Sequence, residues 1–183
     1  RVESSAASDV YKRQEIKLST LISETNTSFK WFILATATFV TMLYAMNVTI
    51  ASIALSDMRG AMGATQDQIS WVVTGNIVAT AIFTPFAGWL SSRIQIRTIL
   101  FFSVIGFIIS SIFCGLSDSL EEIVIARVAQ GIFGAPLPPL SQTLVLAVFP
   151  KRQISVAMAI WGMGTILGPV IAPTIGGYLG ELL

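Results

Sequence analysis

Ile123-Val124-Ile125-Ala126-Arg127-Val128-Ala129-Gln130-Gly131-Ile132-Phe133-Gly134-Ala135 sets one ionisable side chain inside a long apolar run that continues to Phe149. The length of that run decides the fold. About 20 apolar residues cross a bilayer as helix, whereas a barrel strand needs only about 9–11 and alternates apolar with polar positions. The run is too long for the strand and shows no alternation. An arginine at membrane depth costs about 3 kcal/mol on insertion scales and faces the bundle interior or water when it is retained. Arg127 is therefore the first candidate for mechanism.

Outward from it, the chain divides into five runs of this kind: Trp31–Leu55, Ile69–Leu90, Thr98–Leu116, Ile123–Phe149 and Ile154–Leu179. Arg127 is the only charged side chain deep inside any of them. The 183 residues are 54% hydrophobic and 11% charged. A soluble domain carries roughly 25% charged residues, so too little polar surface exists here to cover a water-soluble globule. The expected fold is an all-α membrane protein, a polytopic bundle of about five transmembrane helices. It occupies 31–183, after a polar tail over 1–30. The lipid bilayer is its first partner.

Other classes fall away. Net charge is +1, which gives no reason to expect nucleic acid. There is no histidine and a single cysteine, Cys114, so a metal site and an internal disulfide are not expected. No nucleophile–base pair can be drawn, so the chain does not read as an enzyme. No cofactor is expected.

The charges between runs predict orientation. Lys12, Arg13, Lys17 and Lys30 precede the first run. Arg93 and Arg97 lie in the second connection, and Lys151 and Arg152 in the fourth. The third holds Asp118, Glu121 and Glu122 with no base; the first holds Asp57, Arg59 and Asp67. Basic residues gather on alternate sides, which places the N-terminus in the cytoplasm of a multi-pass cell (inner or plasma) membrane protein. Trp31, Trp71 and Trp89 fall at run ends, where indoles favour the headgroup layer. Ser4 to Gln14 looks like translated sequencing-adapter read-through and carries no part of the fold. With no initiating Met and an end just after a run, the chain reads as a fragment of a longer gene.

Three further motifs stand out. In the fifth run Gly164, Gly168, Ala172, Gly176 and Gly180 recur every four residues, which lays small side chains along one helix face. Pro169 and Pro173 interrupt the hydrogen-bond ladder in register with them, and Gly177 follows. Ordinary tight helix contact would explain the glycines alone; the prolines favour a moving or sealing interface. The second connection, Gly88-Trp89-Leu90-Ser91-Ser92-Arg93-Ile94-Gln95-Ile96-Arg97, makes a tight turn. Its arginines either bond helix carbonyls or an acid, or serve only as topology determinants. Pro136, Pro138 and Pro139 should break the fourth helix.

Bland readings exist for the pathway candidates. Arg127 lies about 12 Å along a helix starting near Ser119 and could snorkel outward, though Gln130 and Gly131 follow within a turn. Asn47 and Thr49 either line a cavity or bond across helices. Trp161, mid-run, either stacks on an aromatic cation or simply packs.

These motifs, in this order, resemble the major facilitator superfamily, and within it the fourteen-span drug:proton antiporter branch of EmrB/QacA type. Thr49–Leu55 is similar to the end of the first-span motif, and Gly88-Trp89-Leu90 with Arg93 to the loop after span two. Ile123 through Gly131 is similar to the span-four motif with its arginine. Gly164 through Gly168-Pro169 and Gly176-Gly177 is similar to the span-five antiporter motif. The resemblance covers about Phe32–Leu183. It implies spans one to five of the N-terminal half of a twelve- or fourteen-helix secondary transporter, exporting amphipathic drugs or organic compounds with the proton as coupling ion. It also implies Arg127, Gln130, Asn47 and Trp161 along the coupling and substrate pathway, and Gly88, Arg93 and Arg97 in a gating loop. A periplasmic adaptor protein is a further implied partner. The branch carries an aspartate where this chain has Asn47, and an acid and a glycine where it has Ser92 and Gln95. The first departure removes a proton-handling acid from span one; the second weakens the loop's charge relay. Rival readings are a uniporter or solute symporter of the same fold, and a non-transporting membrane scaffold subunit. Because the helix that meets the span-five stripe belongs to the family's second half, the stripe is expected to be exposed here.

Overall fold

The computed structural model describes residues 27–182. Most of the N-terminal tail lies outside the described residues. Among the described residues seven helices follow one another: α1 Thr27–Ile53, α2 Leu55–Met62, α3 Gln66–Ser91, α4 Ile96–Leu116, α5 Leu120–Gly134, α6 Leu137–Val148 and α7 Ile154–Leu182. Five stretches are long and apolar enough to cross a membrane: Ser28–Ile53, Gln66–Ser91, Ile96–Leu116, Leu120–Val148 and Ile154–Gly177. They coincide with the five runs to within a few residues, the fourth being α5 and α6 together. Phe32, Ile125 and Leu116 are 67%, 70% and 73% exposed. Outward faces this apolar suit hydrocarbon as solvent and leave backbone groups satisfied inside each helix.

Local chemistry sets the ends. Gly63 takes a left-handed φ of 59° and closes α2 with its N–H on the Arg59 carbonyl. Thr65 then opens α3 with a capping box, its hydroxyl accepting from the Gln68 N–H while the Gln68 side chain accepts from the Thr65 N–H. Ser119 caps α5 by accepting from the Glu122 N–H at 3.3 Å. The fourth span breaks at Ala135 and Pro136, where Pro136, Pro138 and Pro139 leave the Ile132, Gly134 and Ala135 carbonyls without their usual donors. Both break residues stay in the right-handed helical region, so the chain bends there without reversing.

Two apolar clusters pin the bundle. Leu34, Ala37, Val145, Phe149 and Ala157 join α1, α6 and α7 at one end. Ile69, Val72 and Ile123 join α3 and α5 at the other, with Leu55, Met58 and Leu120 against them. The most extensive pairings are α1 with α7 and α3 with α5.

The α1–α7 pairing corrects one expectation. From Gly164 to Gly176 the small-residue stripe of α7 is not left exposed, because α1 covers it; the surroundings of Gly180 lie outside the described residues. A side chain on Gly164 would run into the Thr38 methyl, and a Cβ on Gly168 would lie 2.5 Å from the Met42 carbonyl oxygen. Ala172 is fully buried. At Gly176 the contact has widened to 3.8 Å from Ile50. The two helices therefore touch backbone to backbone near Gly168 and diverge toward Gly176. Periodicity revealed that a neighbour approaches closely but not which one. Gly177 faces open space, Pro173 is exposed and Pro169 half-buried.

Candidate functional site

α5 carries Arg127 into the bundle because α3 lets it approach. A Cβ on Gly131 would lie 2.5 Å from the Asn76 carbonyl oxygen, and one on Gly75 3.1 Å from Val128. At that separation, side chains of α3 reach the α5 backbone. The Asn76 amide donates to the Arg127 carbonyl at 2.9 Å, and the Thr80 hydroxyl to the Gly131 carbonyl at 3.3 Å. Tyr44 of α1 meets Thr80 hydroxyl to hydroxyl at 3.3 Å, and its ring occupies the space a side chain on Gly134 would need. The register of the turn bearing Arg127 is thus held by bonds from a second helix.

The guanidinium binds neutral acceptors. Arg127 Nη1 donates to Asn47 Oδ1 at 2.9 Å and to Gln130 Oε1 at 2.8 Å. Gln130, only 1% exposed, passes the polarity on, its Nε2 donating to Ser111 Oγ at 2.6 Å. Ser111 donates in turn to the Phe107 carbonyl at 2.8 Å. Arg127 Nε is buried with no acceptor among the described residues. Amide oxygens solvate a cation without cancelling its charge. The arrangement therefore holds a positive charge at depth with donor capacity to spare, which is what attracting an anion or a carboxylate requires.

Of the four pathway candidates, Arg127, Gln130 and Asn47 meet here. Trp161 does not join them. It packs on the Leu34–Ala37–Val145 cluster, about 20 Å along α1 from Asn47 at 1.5 Å per residue, and its indole N–H is buried without an acceptor. Thr49 bonds the Ala45 carbonyl of its own helix at 3.1 Å. In the second connection Arg93 lies over the Trp89 ring at 5.3 Å, and Trp89 stacks on Phe86. The helix-end carbonyls are taken by Ser91 and Ser92 hydroxyls and by backbone N–H groups. Gly88 faces open space, and Arg97 is exposed. Sequence reasoning missed Ser111, Asn76, Thr80 and Tyr44. A faint trace existed: Ser110-Ser111 is the only adjacent hydroxyl pair in the third run, and Asn76 the only amide in the second.

Comparison with known proteins fits this architecture. The model of the Major Facilitator Superfamily matches residues 37–183. The Multidrug export protein EmrB of Escherichia coli strain K12 is 40% identical over 141 residues, which cover 77% of this chain and 28% of that protein. The Probable multidrug resistance protein EmrY of the same strain is 36% identical over 149 residues, 81% of this chain and 29% of that one. The chain thus spans under a third of these relatives' length. In structure, a bacterial homologue of the human lysosomal transporter Spinster, inward-facing and unoccupied, superposes with a TM-score of 0.76 at 23% identity, over 85% of this chain and 33% of its own. The family match over most of its length, on a five-span bundle with an arginine at the depth of the fourth span, shows that this chain belongs to the Major Facilitator Superfamily.

Proposed function

We propose that the full-length protein is a secondary active transporter, not an enzyme, that exports amphipathic organic compounds driven by the proton gradient. The observation that carries this reading is the Arg127 guanidinium, held at depth between spans one and four by Asn47 and Gln130 with its Nε unpaired. The relatives named for multidrug export supply the substrate class. The proton is the coupling ion, the protein needs no cofactor, and a periplasmic adaptor is a further partner. Arg127 tunes the proton affinity of an acid or holds a substrate anion. The test is substrate-driven proton flux in proteoliposomes of the full-length protein. An amphipathic dye should move with opposite proton movement. Asn47 favours a second reading, uniport, because that amide replaces an acid and cannot titrate. Dye movement with no proton movement would decide for uniport and against coupling.

The orientation belongs to the same reading. Segments 59–67 and 118–122 face outside, and 91–97 and 150–153 the cytoplasm, with the N-terminus cytoplasmic in a plasma or inner membrane. Cysteines placed singly at Asp67 and Gln95 of a full-length protein whose native thiols are removed should differ: an impermeant reagent applied outside should label the first only. Labelling at Gln95 from outside would reverse the orientation.

A further inference from the structure

We infer that Ser111 of α4 is a positioning residue for the Arg127 site, holding the Gln130 amide in the one orientation that can accept from the guanidinium; this rests on the transport reading above only for its second readout. The direction of the hydrogen bonds forces the assignment. Arginine can only donate, and a backbone carbonyl can only accept. The chain Arg127 Nη1, Gln130, Ser111 Oγ, Phe107 carbonyl runs from one to the other, with distances of 2.8, 2.6 and 2.8 Å. The single Ser111 hydroxyl hydrogen goes to Phe107, so Ser111 can only accept from Gln130. Gln130 must then turn its NH2 to Ser111 and its carbonyl oxygen to Arg127.

The cavity on the far side of Ser111 offers no replacement for that hydroxyl. Beyond Ser111 lies a cavity of about 360 Å³ whose walls, among them Val40, Leu43, Phe107, Ile112 and Leu137, carry no side-chain acceptor. Without Ser111 the buried Gln130 NH2 loses its partner, and only the bond from Arg127 is left to orient the amide. Asn47, the other acceptor, has no third residue bonded to its amide among the described residues. Ser111 therefore decides whether Arg127 keeps a fixed acceptor on its own helix. Ser110 provides an internal control. It is buried beside Ser111 and makes the same bond one residue back, to the Gly106 carbonyl at 2.8 Å, whereas the Gln130 amide bonds Ser111.

The test uses the full-length protein in nanodiscs with 15N-labelled glutamine, the Gln130 side-chain resonance being identified by its loss in Gln130→Glu. Ser111→Ala should speed hydrogen exchange of that amide roughly tenfold, the loss of about one buried hydrogen bond. Ser110→Ala should leave it unchanged, and Ser111→Thr, which keeps a hydroxyl able to reach the i−4 carbonyl, should restore protection. Unchanged exchange in Ser111→Ala overturns the assignment. So does equal acceleration in Ser110→Ala, which would mark general loosening of α4. In proteoliposomes Ser111→Ala should lower dye-driven proton flux roughly tenfold, with recovery in Ser111→Thr. A wild-type protein that moves neither dye nor protons would overturn the transport reading, while the exchange measurement would still decide the role of Ser111.

Discussion

Arg127→Ala in the full-length protein is expected to reduce coupled transport by roughly 100-fold or more while the protein inserts and accumulates normally. Two charge-assisted hydrogen bonds disappear, each worth about 1.5–3 kcal/mol, and 1.4 kcal/mol is a factor of ten. The fixed positive charge disappears with them. Insertion should not suffer, since removing a charge from a span makes that span cheaper to insert. Arg127→Lys keeps the charge but loses the Nε and second Nη donors and the planar shape that places Nη1 between Asn47 and Gln130, so partial recovery is expected, roughly tenfold below wild type. Substrate-driven proton flux, normalised to protein in the proteoliposomes, is the measurement. Near-normal flux from the alanine variant would mean that the guanidinium only snorkels and that its bonds to Asn47 and Gln130 serve no transport step.

The second large effect is expected in the α1–α7 contact. Gly168→Ala should destabilise the full-length protein by about 1–3 kcal/mol, the usual range for overpacking a tight site, and Gly168→Leu should prevent folding. The obstacle at Gly168 is a backbone carbonyl, at 2.5 Å from where a Cβ would lie, and a backbone cannot step aside as a side chain can. Gly176→Ala should cost little, because its nearest neighbour would lie at 3.8 Å, an ordinary van der Waals distance. Leu167→Ala, on an exposed position of the same helix, serves as the control. The gradient along one stripe is the point. Glycines that look equivalent in the sequence should separate by their distance from Met42 and Ile50. Thermal melting in detergent reads it out, and equal losses at Gly168 and Gly176 would refute a seam that widens toward Gly176.

Most of the fold was legible because hydrocarbon allows few solutions. A backbone in lipid must satisfy itself, so runs of the right length become helices, and the span ends follow to within a few residues. The cation was legible for the same reason, since a charge at depth is conspicuous. Its surroundings were not. Hydroxyls in these helices mostly bond the carbonyl one turn back, as Thr36, Thr41, Thr49, Ser52 and Ser110 do. Ser111 makes that bond as well, and only the third dimension shows that it also accepts from Gln130. Trp161 stood open between a pathway role and plain packing. A mid-span indole suggested a pathway, but depth along one helix does not say which turn of another it meets, and it packs where α1 and α6 close on α7. Gly164 and Gly168 announced a close neighbour without naming α1, because small residues specify a distance and carry no complementary label.

The neutral shell around Arg127 also bears on how the protein is made. The ribosome delivers spans in order, and Asn47 and Ser111 both precede Arg127 in the chain. Each can already be in the membrane when the arginine leaves the exit tunnel, and Gln130 emerges three residues later. The charged span need not wait for an acid encoded further downstream. Its insertion penalty, about 3 kcal/mol for an isolated arginine, can be lowered by Asn47, on a helix synthesised beforehand. Biogenesis and mechanism thus make separate demands on one side chain: an amide that arrives early and one that follows within a turn shelter the cation during assembly, and by leaving its charge uncancelled they keep it available afterwards.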